Sequence, residues 1–330
     1  MTNERRVWSR IVGTGAYVPE RVLTNFDLEK IVDTSDAWIT ERTGIKERRL
    51  ASEGEAASDM ALAAARAALA TAELAPDDLD MIVVGTISAD QPLPACAAYV
   101  HPKLGCRPIP SFDVAAACAG FLYALSIGDQ FIRSGTHKRV LVVGVELLSR
   151  VLDWKDRATC VLFGDGAGAA ILEASSEPGV LSAHLFTDGT LADSLRIPGG
   201  GSREPLTAES IASARDKVHM VGQDIFKVAV RNLTSAAKLA MDDAGAHGFP
   251  VDWVVPHQAN LRILQMVSQR LEVPMERFVI NIQRYGNTSS ASIPIALDEA
   301  VRDGRIRKGQ TIVMCALGAG ISWAGAAVRM

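Results

Sequence analysis

Three short stretches of the chain carry side chains that could act together on a carbonyl group. A thiol, Cys118, stands among small residues in FDVAAACAGF, between a strand-like run and a helical pattern. An imidazole, His257, follows the apolar run DWVVP, and a carboxamide, Asn287, lies in the polar stretch RYGNTSSASIP. A thiolate is a nucleophile, whereas an imidazole and a carboxamide can donate hydrogen bonds to a developing oxyanion. This combination predicts covalent catalysis.

Each of the three residues also has a plainer interpretation when it is taken alone. A lone cysteine often fills a core, a histidine at a strand end is often structural, and an asparagine beside glycine often forms a turn. The residues after Cys118 have apolar side chains at helical spacing, which places the thiol at the first turn of a helix. The positive end of that helix predicts a lowered pKa for Cys118.

The surrounding elements predict a layered α/β protein. Continuous apolar runs fit strands that are buried on both faces. These runs are MIVVGT, RVLVVGVE, CVLFGDGAGAAIL, DWVVP and TIVMCAL. Helical patterns cover 58–74 and 222–245, and the stretch 187–218 has the least pattern and is expected to be a loop or cap. Catalytic groups of such folds gather where strands lead into helices, as all three candidate residues do.

An internal repeat predicts that the chain has two similar halves. LDMIVV resembles VDWVVP, and RVLVVGV resembles TIVMCAL, in each case 172 residues further along. AGAAIL and AGAAVRM resemble one another at a shorter spacing. We therefore predict an N-terminal half, residues 1–175, that holds the cysteine, and a C-terminal half, residues 176–330, that holds the histidine and the asparagine.

Composition excludes several other classes of protein. The chain has 330 residues, a formal net charge of −4 and an isoelectric point near 5.9, so no nucleic-acid partner is expected. Its five cysteines show no CxxC spacing, which predicts neither disulfides nor a metal site and favours the reducing cytoplasm. The sequence contains no uninterrupted run of 18 apolar residues, so no membrane span is expected.

Longer motifs resemble the β-ketoacyl-acyl-carrier-protein synthase III family nearly from end to end. The motifs are TSDAWITERTGIKERR, DVAAACAGF, DRATCVLFGDGAGAAIL, GQDIFKVAV, PHQANLRI, YGNTSSASIP and ALGAGISWAG. The resemblance implies a thiolase fold, with two duplicated βαβαβαββ halves in a five-layer α-β-α-β-α arrangement, and a homodimer. It also implies an acyltransferase that starts type II fatty acid synthesis. Such an enzyme needs no bound cofactor, because the coenzyme A thioester is its substrate.

The resemblance assigns Cys118, His257 and Asn287 to a catalytic triad. It implies that Cys118 takes the acyl group from acyl-CoA and that malonyl-acyl carrier protein then loses CO₂. His257 and Asn287 would stabilise the resulting enolate, whose carbon attacks the acyl-cysteine. The backbone N–H groups of Cys118 and Ala319 would form the oxyanion hole.

The resemblance also implies the residues that bind the substrates and the carrier protein. Those expected to contact coenzyme A or its pantetheine arm are Trp38, Arg42, Arg157, Gly222 and Asn260. Lys227 and Arg262 match basic positions that dock the acidic carrier protein, although an ordinary solvated surface is an alternative for both.

Two departures from the family pattern leave the primer open. The C-terminal loop reads Gly318-Ala319-Gly320 instead of three glycines, and Leu93 stands where the family often has a phenylalanine that reaches into the partner's acyl tunnel. A smaller side chain at Leu93 predicts room for primers longer or more branched than acetyl. A starter-unit enzyme of secondary metabolism is therefore an alternative.

A biosynthetic thiolase is a further alternative. A rival from a different class is a Rossmann-type dehydrogenase or a non-catalytic binding module. A thiolase would need a second cysteine as base, but Cys315 lies one residue too early relative to the glycines and is expected to be a buried core residue. A dinucleotide-binding protein would need a complete glycine fingerprint. VGTGAYVP and FGDGAGAA lack it and are interpreted as tight turns.

Overall fold

The computed structural model describes residues 7–330, which form two large sheets, two small ones and eleven α-helices. The strands are β1 (Trp8–Tyr17), β2 (Arg21–Thr24), β3 (Glu47–Leu50), β4 (Met81–Gly85), β5 (Ser111–Val114), β6 (Arg139–Glu146), β7 (Gly166–Ser175), β8 (Val180–Thr187), β9 (Leu195–Arg196), β10 (His219–Met220), β11 (Trp253–Pro256), β12 (Thr311–Gly318) and β13 (Ser322–Arg329). The helices are α1 (Asn25–Leu28), α2 (Asp36–Thr43), α3 (Ala57–Ala72), α4 (Cys96–Leu104), α5 (Gly120–Arg133), α6 (Arg157–Cys160), α7 (Ala208–Ala212), α8 (Gly222–Ala246), α9 (Leu261–Leu271), α10 (Ile282–Tyr285) and α11 (Ser292–Arg302).

Five layers follow from the way in which helices cover the two large sheets. The first sheet has the order β1-β7-β6-β4-β5 and the second has the order β11-β12-β13-β8. Helices α5 and α11 lie between the sheets and share one apolar core with both. Helices α3 and α4 cover the outer face of the first sheet, and α8 and α9 cover the outer face of the second. The predicted α-β-α-β-α arrangement is therefore present.

The sequence repeat corresponds to equivalent strands in the two sheets. In the first sheet β4 is parallel to β6, and β6 is antiparallel to β7; in the second, β11, β12 and β13 have the same relations. The second sheet lacks a full counterpart of β5, since only a single parallel bridge joins Val254 to Phe278. The division of the chain at residue 175 stays a prediction, and residues 1–6 of the predicted first half lie outside the described residues.

Two glycine-containing stretches form strands, so their interpretation as tight turns is wrong. VGTGAYVP lies mostly in β1, and the glycines at 166 and 168 of FGDGAGAA lie in β7, which begins at Gly166 rather than at Cys160. Close packing explains the glycine in β1: a Cβ atom on Gly15 would lie 2.3 Å from the carbonyl oxygen of Ala64 in α3. The glycine allows an outer helix to lie directly on the sheet.

We expect Gly15→Ala to destabilise the protein, because an added methyl group has no room against the backbone of α3. Overpacking of this kind costs about 1–3 kcal/mol in the free energy of unfolding. Gly245→Ala is the matched control, since Gly245 lies in α8 with no atom near its Cβ position. That change should stabilise the helix by about 0.5 kcal/mol. Denaturant unfolding of both variants measures the difference, and equal stabilities would contradict the packing argument.

Candidate active site

Three junctions between elements position the candidate catalytic residues. Cys118 lies in a single 3₁₀ turn, residues 117–119, between β5 and α5, and Ala117 before it has a left-handed backbone with φ 43°. His257 directly follows β11, and Asn287 lies in the loop between α10 and the turn that leads into α11. The prediction that the thiol stands at the start of the helix is thus correct to within one short turn.

The structure brings the side chains of the three residues to one cavity. This smaller cavity, of about 110 Å³, is lined by Cys118, His257 and Asn287, and by Gly222 and Asn260. A larger cavity of about 270 Å³ also reaches Cys118. Its apolar wall comprises Ile87, Leu148, Phe163, Leu195, Ile197 and Val218. Cys118 therefore lies where two mainly apolar cavities meet, and the smaller one also contains the polar side chains of His257, Asn260 and Asn287.

Hydrogen bonds behind the imidazole fix its orientation. The His257 backbone N–H donates to the Cys315 carbonyl oxygen at 2.8 Å, and Nδ1 lies 2.7 Å from the Ser292 hydroxyl group. Because Ser292 Oγ accepts the Gln258 N–H at 3.4 Å, its own proton is free to donate to Nδ1. A Ser292 hydroxyl group that donates to Nδ1 leaves the imidazole proton on Nε2, and the hydrogen bonds among residues 7–330 give Nε2 no partner.

The carboxamide of Asn287 is held in a similar way. Its Oδ1 accepts the Ser289 N–H at 2.8 Å, and its Nδ2 has no partner in the described part of the chain. The backbone of Asn287 is tied to the first half of the molecule, since its N–H donates to Leu162 and its carbonyl oxygen accepts from Gly164. Two N–H donors, one from each side chain, are thus left unused at the cavity that contains the thiol.

Burial dominates the pKa values of the site. Burial raises the pKa of Cys118 to about 12, and it outweighs the lowering effects of hydrogen bonds from Ser289 and from the cysteine's own N–H. The prediction that the helix terminus lowers this pKa is therefore wrong, because desolvation of the thiolate is the larger effect. Burial also lowers the pKa of His257 to about 3. Both groups are neutral at pH 7.

The C-terminal loop meets the turn that carries Cys118. A Cβ atom on Gly318 would lie 2.5 Å from the Cys118 amide nitrogen, so the end of β12 and the nucleophile's backbone are in contact. Ala319 follows and lines the larger cavity together with Cys118. The structure thus brings together the two backbone segments that were expected to form an oxyanion hole, and the role of their N–H groups stays a prediction.

Of the residues expected to bind coenzyme A, two line the smaller cavity, Gly222 and Asn260, and the other three form a cluster around the Trp38 ring. The guanidinium carbons of Arg42 and Arg157 lie 5.2 Å and 4.7 Å from the centre of the Trp38 ring. Asn260 caps α9 through its Oδ1 and donates from Nδ2 to the Arg42 carbonyl oxygen at 3.0 Å. Gly222 begins α8 and lines the smaller cavity with Asn260. Both guanidinium groups lie over the Trp38 ring, and guanidinium groups suit the phosphates of a nucleotide.

The remaining predicted residues lie apart from the thiol. Lys227 and Arg262 are exposed on α8 and α9, which pack against one another. Leu93 is 82% exposed and does not line either cavity at Cys118 in this chain. Because its expected role is in the tunnel of a partner subunit, that role stays a prediction. Cys315 is buried in the core beneath α8 and α9, as predicted.

Sequence reasoning missed three polar residues that surround the site. Ser292 orients His257, Ser289 holds Asn287, and Glu146 is fully buried at the end of β6. The available signals were the serine-rich stretch after Asn287 and a single acid that ends the apolar run RVLVVGVE.

Among residues 7–330 no cluster of histidine, cysteine or acidic residues could hold a metal ion. No helix in the same range is both long and apolar enough to cross a bilayer.

We expect His257 to remain neutral between about pH 5 and 8, because its pKa in the folded protein is about 3. Its imidazole ¹⁵N signals, identified by their absence in His257→Gln, should not titrate in this range. The unfolded chain takes up a proton near pH 6.5, so His257 makes the free energy of unfolding fall as the pH drops below about 6.5. His257→Gln should lose less stability than the wild type on acidification, and an imidazole that titrates near neutrality would contradict the assignment.

Comparison with known proteins identifies the family. The family model for 3-oxoacyl-[acyl-carrier-protein] synthase III matches residues 112–189, and the model for the C-terminal part of the same enzyme matches residues 241–330. The β-ketoacyl-[acyl-carrier-protein] synthase III of Methylococcus capsulatus is 49% identical over 322 residues, which are 98% of this chain and 99% of that protein.

Solved structures agree with this match. The 3-oxoacyl-[acyl-carrier-protein] synthase III of Aquifex aeolicus superposes with a TM-score of 0.89 at 44% identity, over 98% of this chain and all of that one. The priming β-ketosynthase of the R1128 polyketide pathway has the same TM-score at 37% identity, over 100% of this chain and 98% of that one. The fold is the thiolase fold, and the chain belongs to the β-ketoacyl-acyl-carrier-protein synthase III family.

Proposed function

We propose that this chain condenses an acyl-CoA primer with malonyl-acyl carrier protein, and so performs the first condensation of type II fatty acid synthesis. One observation carries the proposal: Cys118 shares a cavity with His257 and Asn287, whose Nε2 and Nδ2 donors are unpartnered within the described residues. The similarity to synthase III enzymes over nearly the whole chain supports the same activity. The match to a polyketide priming enzyme is weaker in identity and does not favour the alternative.

In the first half-reaction, Cys118 takes the acyl group. Its sulfur forms a bond to the thioester carbon, the bond to the coenzyme A sulfur breaks, and the thiol proton leaves with coenzyme A. The backbone N–H groups of Cys118 and Ala319 are suited to hold the oxyanion of the tetrahedral intermediate. Because the thiol is neutral at rest, its deprotonation must accompany the attack or closely precede it.

In the second half-reaction, loss of CO₂ generates the carbon nucleophile. The electron pair of the broken C–C bond moves into the malonyl thioester, and the enolate oxygen accepts hydrogen bonds from His257 Nε2 and Asn287 Nδ2. The enolate carbon then attacks the acyl-cysteine, the C–S bond breaks, and one proton from solvent restores the Cys118 thiol. Decarboxylation removes the need for a base, so neutral donors are the appropriate groups.

The two cavities suit the two parts of the primer. The apolar cavity of about 270 Å³ would hold the acyl chain, and the smaller cavity, with Gly222 and Asn260 in its wall, would hold the pantetheine arm. Trp38, Arg42 and Arg157 would hold the nucleotide. The proposal requires no metal ion and no resident cofactor, since coenzyme A enters and leaves with the substrate.

The proposal includes two kinds of protein partner. Lys227 and Arg262 would attract the acidic carrier protein, and this attraction should weaken with salt. A second copy of the chain would cover the region around Leu93, whose side chain would enter the partner's acyl tunnel. We propose that this homodimer acts in the cytoplasm, where its five free cysteines would stay reduced.

We expect labelled acyl-CoA to place one acyl group on Cys118 in the absence of carrier protein. Cys118→Ser should abolish this labelling, because a serine hydroxyl group is far harder to ionise in a buried site. Cys106→Ser is the control, since Cys106 is another free thiol that lines neither cavity. Mass spectrometry of the intact protein and of its peptides locates the label. Labelling that survives in Cys118→Ser would exclude this residue as the nucleophile.

His257→Ala and Asn287→Ala should separate the two half-reactions. Each removes one donor to the enolate oxygen, so malonyl decarboxylation should fall by at least about a hundredfold. Acyl transfer to Cys118 should change by less than about tenfold, because neither donor is assigned to its oxyanion. Release of CO₂ from labelled malonyl-acyl carrier protein and self-acylation measure the two steps on the same sample. A similar loss of both would refute this division of roles.

A further inference from the structure

Arg48 in β3 is a buried cation that forms no ion pair with a carboxylate among residues 7–330. None of its surface is exposed, and its Nε, which is also buried, has no acceptor in that range. Burial lowers the pKa of Arg48 to about 10, so the guanidinium group still carries its charge at pH 7. A buried charge without an opposite charge is costly, and the hydrogen bonds of this group therefore indicate what it is used for.

The guanidinium group joins two distant segments of the chain. Its Nη1 donates to the Leu23 carbonyl oxygen at 3.2 Å and to Asn25 Oδ1 at 2.9 Å, where β2 ends and α1 begins. Its Nη2 donates to the Val161 carbonyl oxygen at 2.7 Å, directly after α6. Because the guanidinium group is planar and rigid, it fixes these three acceptors relative to one another. The position of Val161 is thus coupled to that of β2.

Residues 161–164, which Arg48 holds at their first member, carry the backbone of Asn287. The Asn287 N–H donates to the Leu162 carbonyl oxygen at 2.9 Å, and the Gly164 N–H donates to the Asn287 carbonyl oxygen at 3.0 Å. The Oδ1 atom of the same asparagine is bonded to the backbone two residues further on. The position of this backbone therefore determines where the Nδ2 donor points.

The aliphatic part of Arg48 packs against the same backbone. A Cβ atom on Gly164 would lie 3.0 Å from the Arg48 Cβ atom, and one on Gly286 would lie 3.4 Å from it. The arginine thus adjoins both of the segments that meet at Asn287, although it lines neither cavity at Cys118. Any effect of Arg48 on the reaction is therefore transmitted through the backbone.

We propose that Arg48 is a positioning residue for Asn287. Its guanidinium group fixes residues 161–164 against β2, and these residues hold the Asn287 backbone where Nδ2 can donate to the enolate oxygen. The thiol and the imidazole are held by other contacts, so transfer of the acyl group does not depend on the arginine. The inference rests on the proposed condensation, in which Asn287 acts on the malonyl thioester.

Arg48→Met tests the inference, because it removes the guanidinium group and keeps a long apolar side chain. The maximal rate of CO₂ release from labelled malonyl-acyl carrier protein should fall about tenfold or more, since a catalytic donor displaced by about 1 Å can lose about a hundredfold in rate. Self-acylation of Cys118 at saturating acyl-CoA should change by less than about threefold. Arg133→Met is the matched control: Arg133 also donates to a backbone carbonyl oxygen, that of Val180, but lies at the end of α5 and lines neither cavity.

Further variants separate positioning from a general loss of structure. Arg48→Lys keeps the charge, but one nitrogen cannot occupy both the Nη1 and the Nη2 position, so it should restore only part of the CO₂ release. In the Asn287→Ala background, Arg48→Met should change CO₂ release by less than about twofold, because the donor that Arg48 positions is already absent. In the His257→Ala background it should keep most of its effect. An equal fall in both backgrounds, or an equal loss of acylation and decarboxylation, would overturn the inference.

Hydrogen exchange of backbone amides gives a readout that needs no substrate. The N–H groups of Gly164 and Asn287, followed by mass spectrometry of the peptides that contain them, should exchange at least about tenfold faster in Arg48→Met. Peptides from α3 should not change, and Arg133→Met should keep the wild-type rates at both amides. Unchanged exchange at Gly164 and Asn287 would overturn the inference even if CO₂ release fell.

Two outcomes need separate treatment. If the wild type releases no CO₂, the proposed condensation fails, and hydrogen exchange alone decides whether Arg48 holds the Asn287 backbone. If Arg48→Met does not fold, as judged by circular dichroism, Arg48→Lys takes its place in every measurement. Wild-type CO₂ release and wild-type exchange in Arg48→Lys would then overturn the inference.

Discussion

The removal of Cys118 from water is the constraint on which the rest of the site depends. The thiol is 7% exposed, and burial raises its pKa while it lowers that of His257. The resting site therefore contains neutral groups rather than a thiolate–imidazolium pair. Negative charge therefore develops there only on the substrate oxygen during the reaction. The hydrogen-bond donors that stabilise it must already be in position, because a buried site gives little solvent that could reorganise around the charge. The hydrogen bonds behind His257 and Asn287 satisfy that requirement.

The duplicated fold explains how groups from distant parts of the chain meet at one sulfur. Equivalent strands of the two sheets bring their junctions to the space around α5 and α11; they are β4, β6 and β7 in the first sheet and β11, β12 and β13 in the second. The backbone of Asn287 is bonded to residues 162–164 of the other half, and Gly318 lies against the turn of Cys118. The site is thus built across the two halves, so the relative position of the two sheets determines its geometry.

Sequence alone predicted the main elements but not the electrostatics. Continuous apolar runs located the buried strands, and the motifs around Cys118, His257 and Asn287 located residues that do share a cavity. The pKa of Cys118 was mispredicted because a local helix argument contains no information on burial. Glu146 and Ser289 were missed for a related reason: a polar residue beside an apolar run shows its partners only when the sheets and loops are assembled.

The position of Cys315 helps to decide whether the carbon nucleophile is formed by proton abstraction or by decarboxylation. Its side chain packs beneath α8 and α9, on the face of β12 away from α5 and α11, and burial raises its pKa to about 12. A second thiol base of the thiolase kind is therefore not present beside Cys118. Proton abstraction from an acetyl thioester would need a base, and Cys315 does not lie where it could act as one. Cleavage of a C–C bond avoids that step, since it leaves an enolate that two neutral donors can hold.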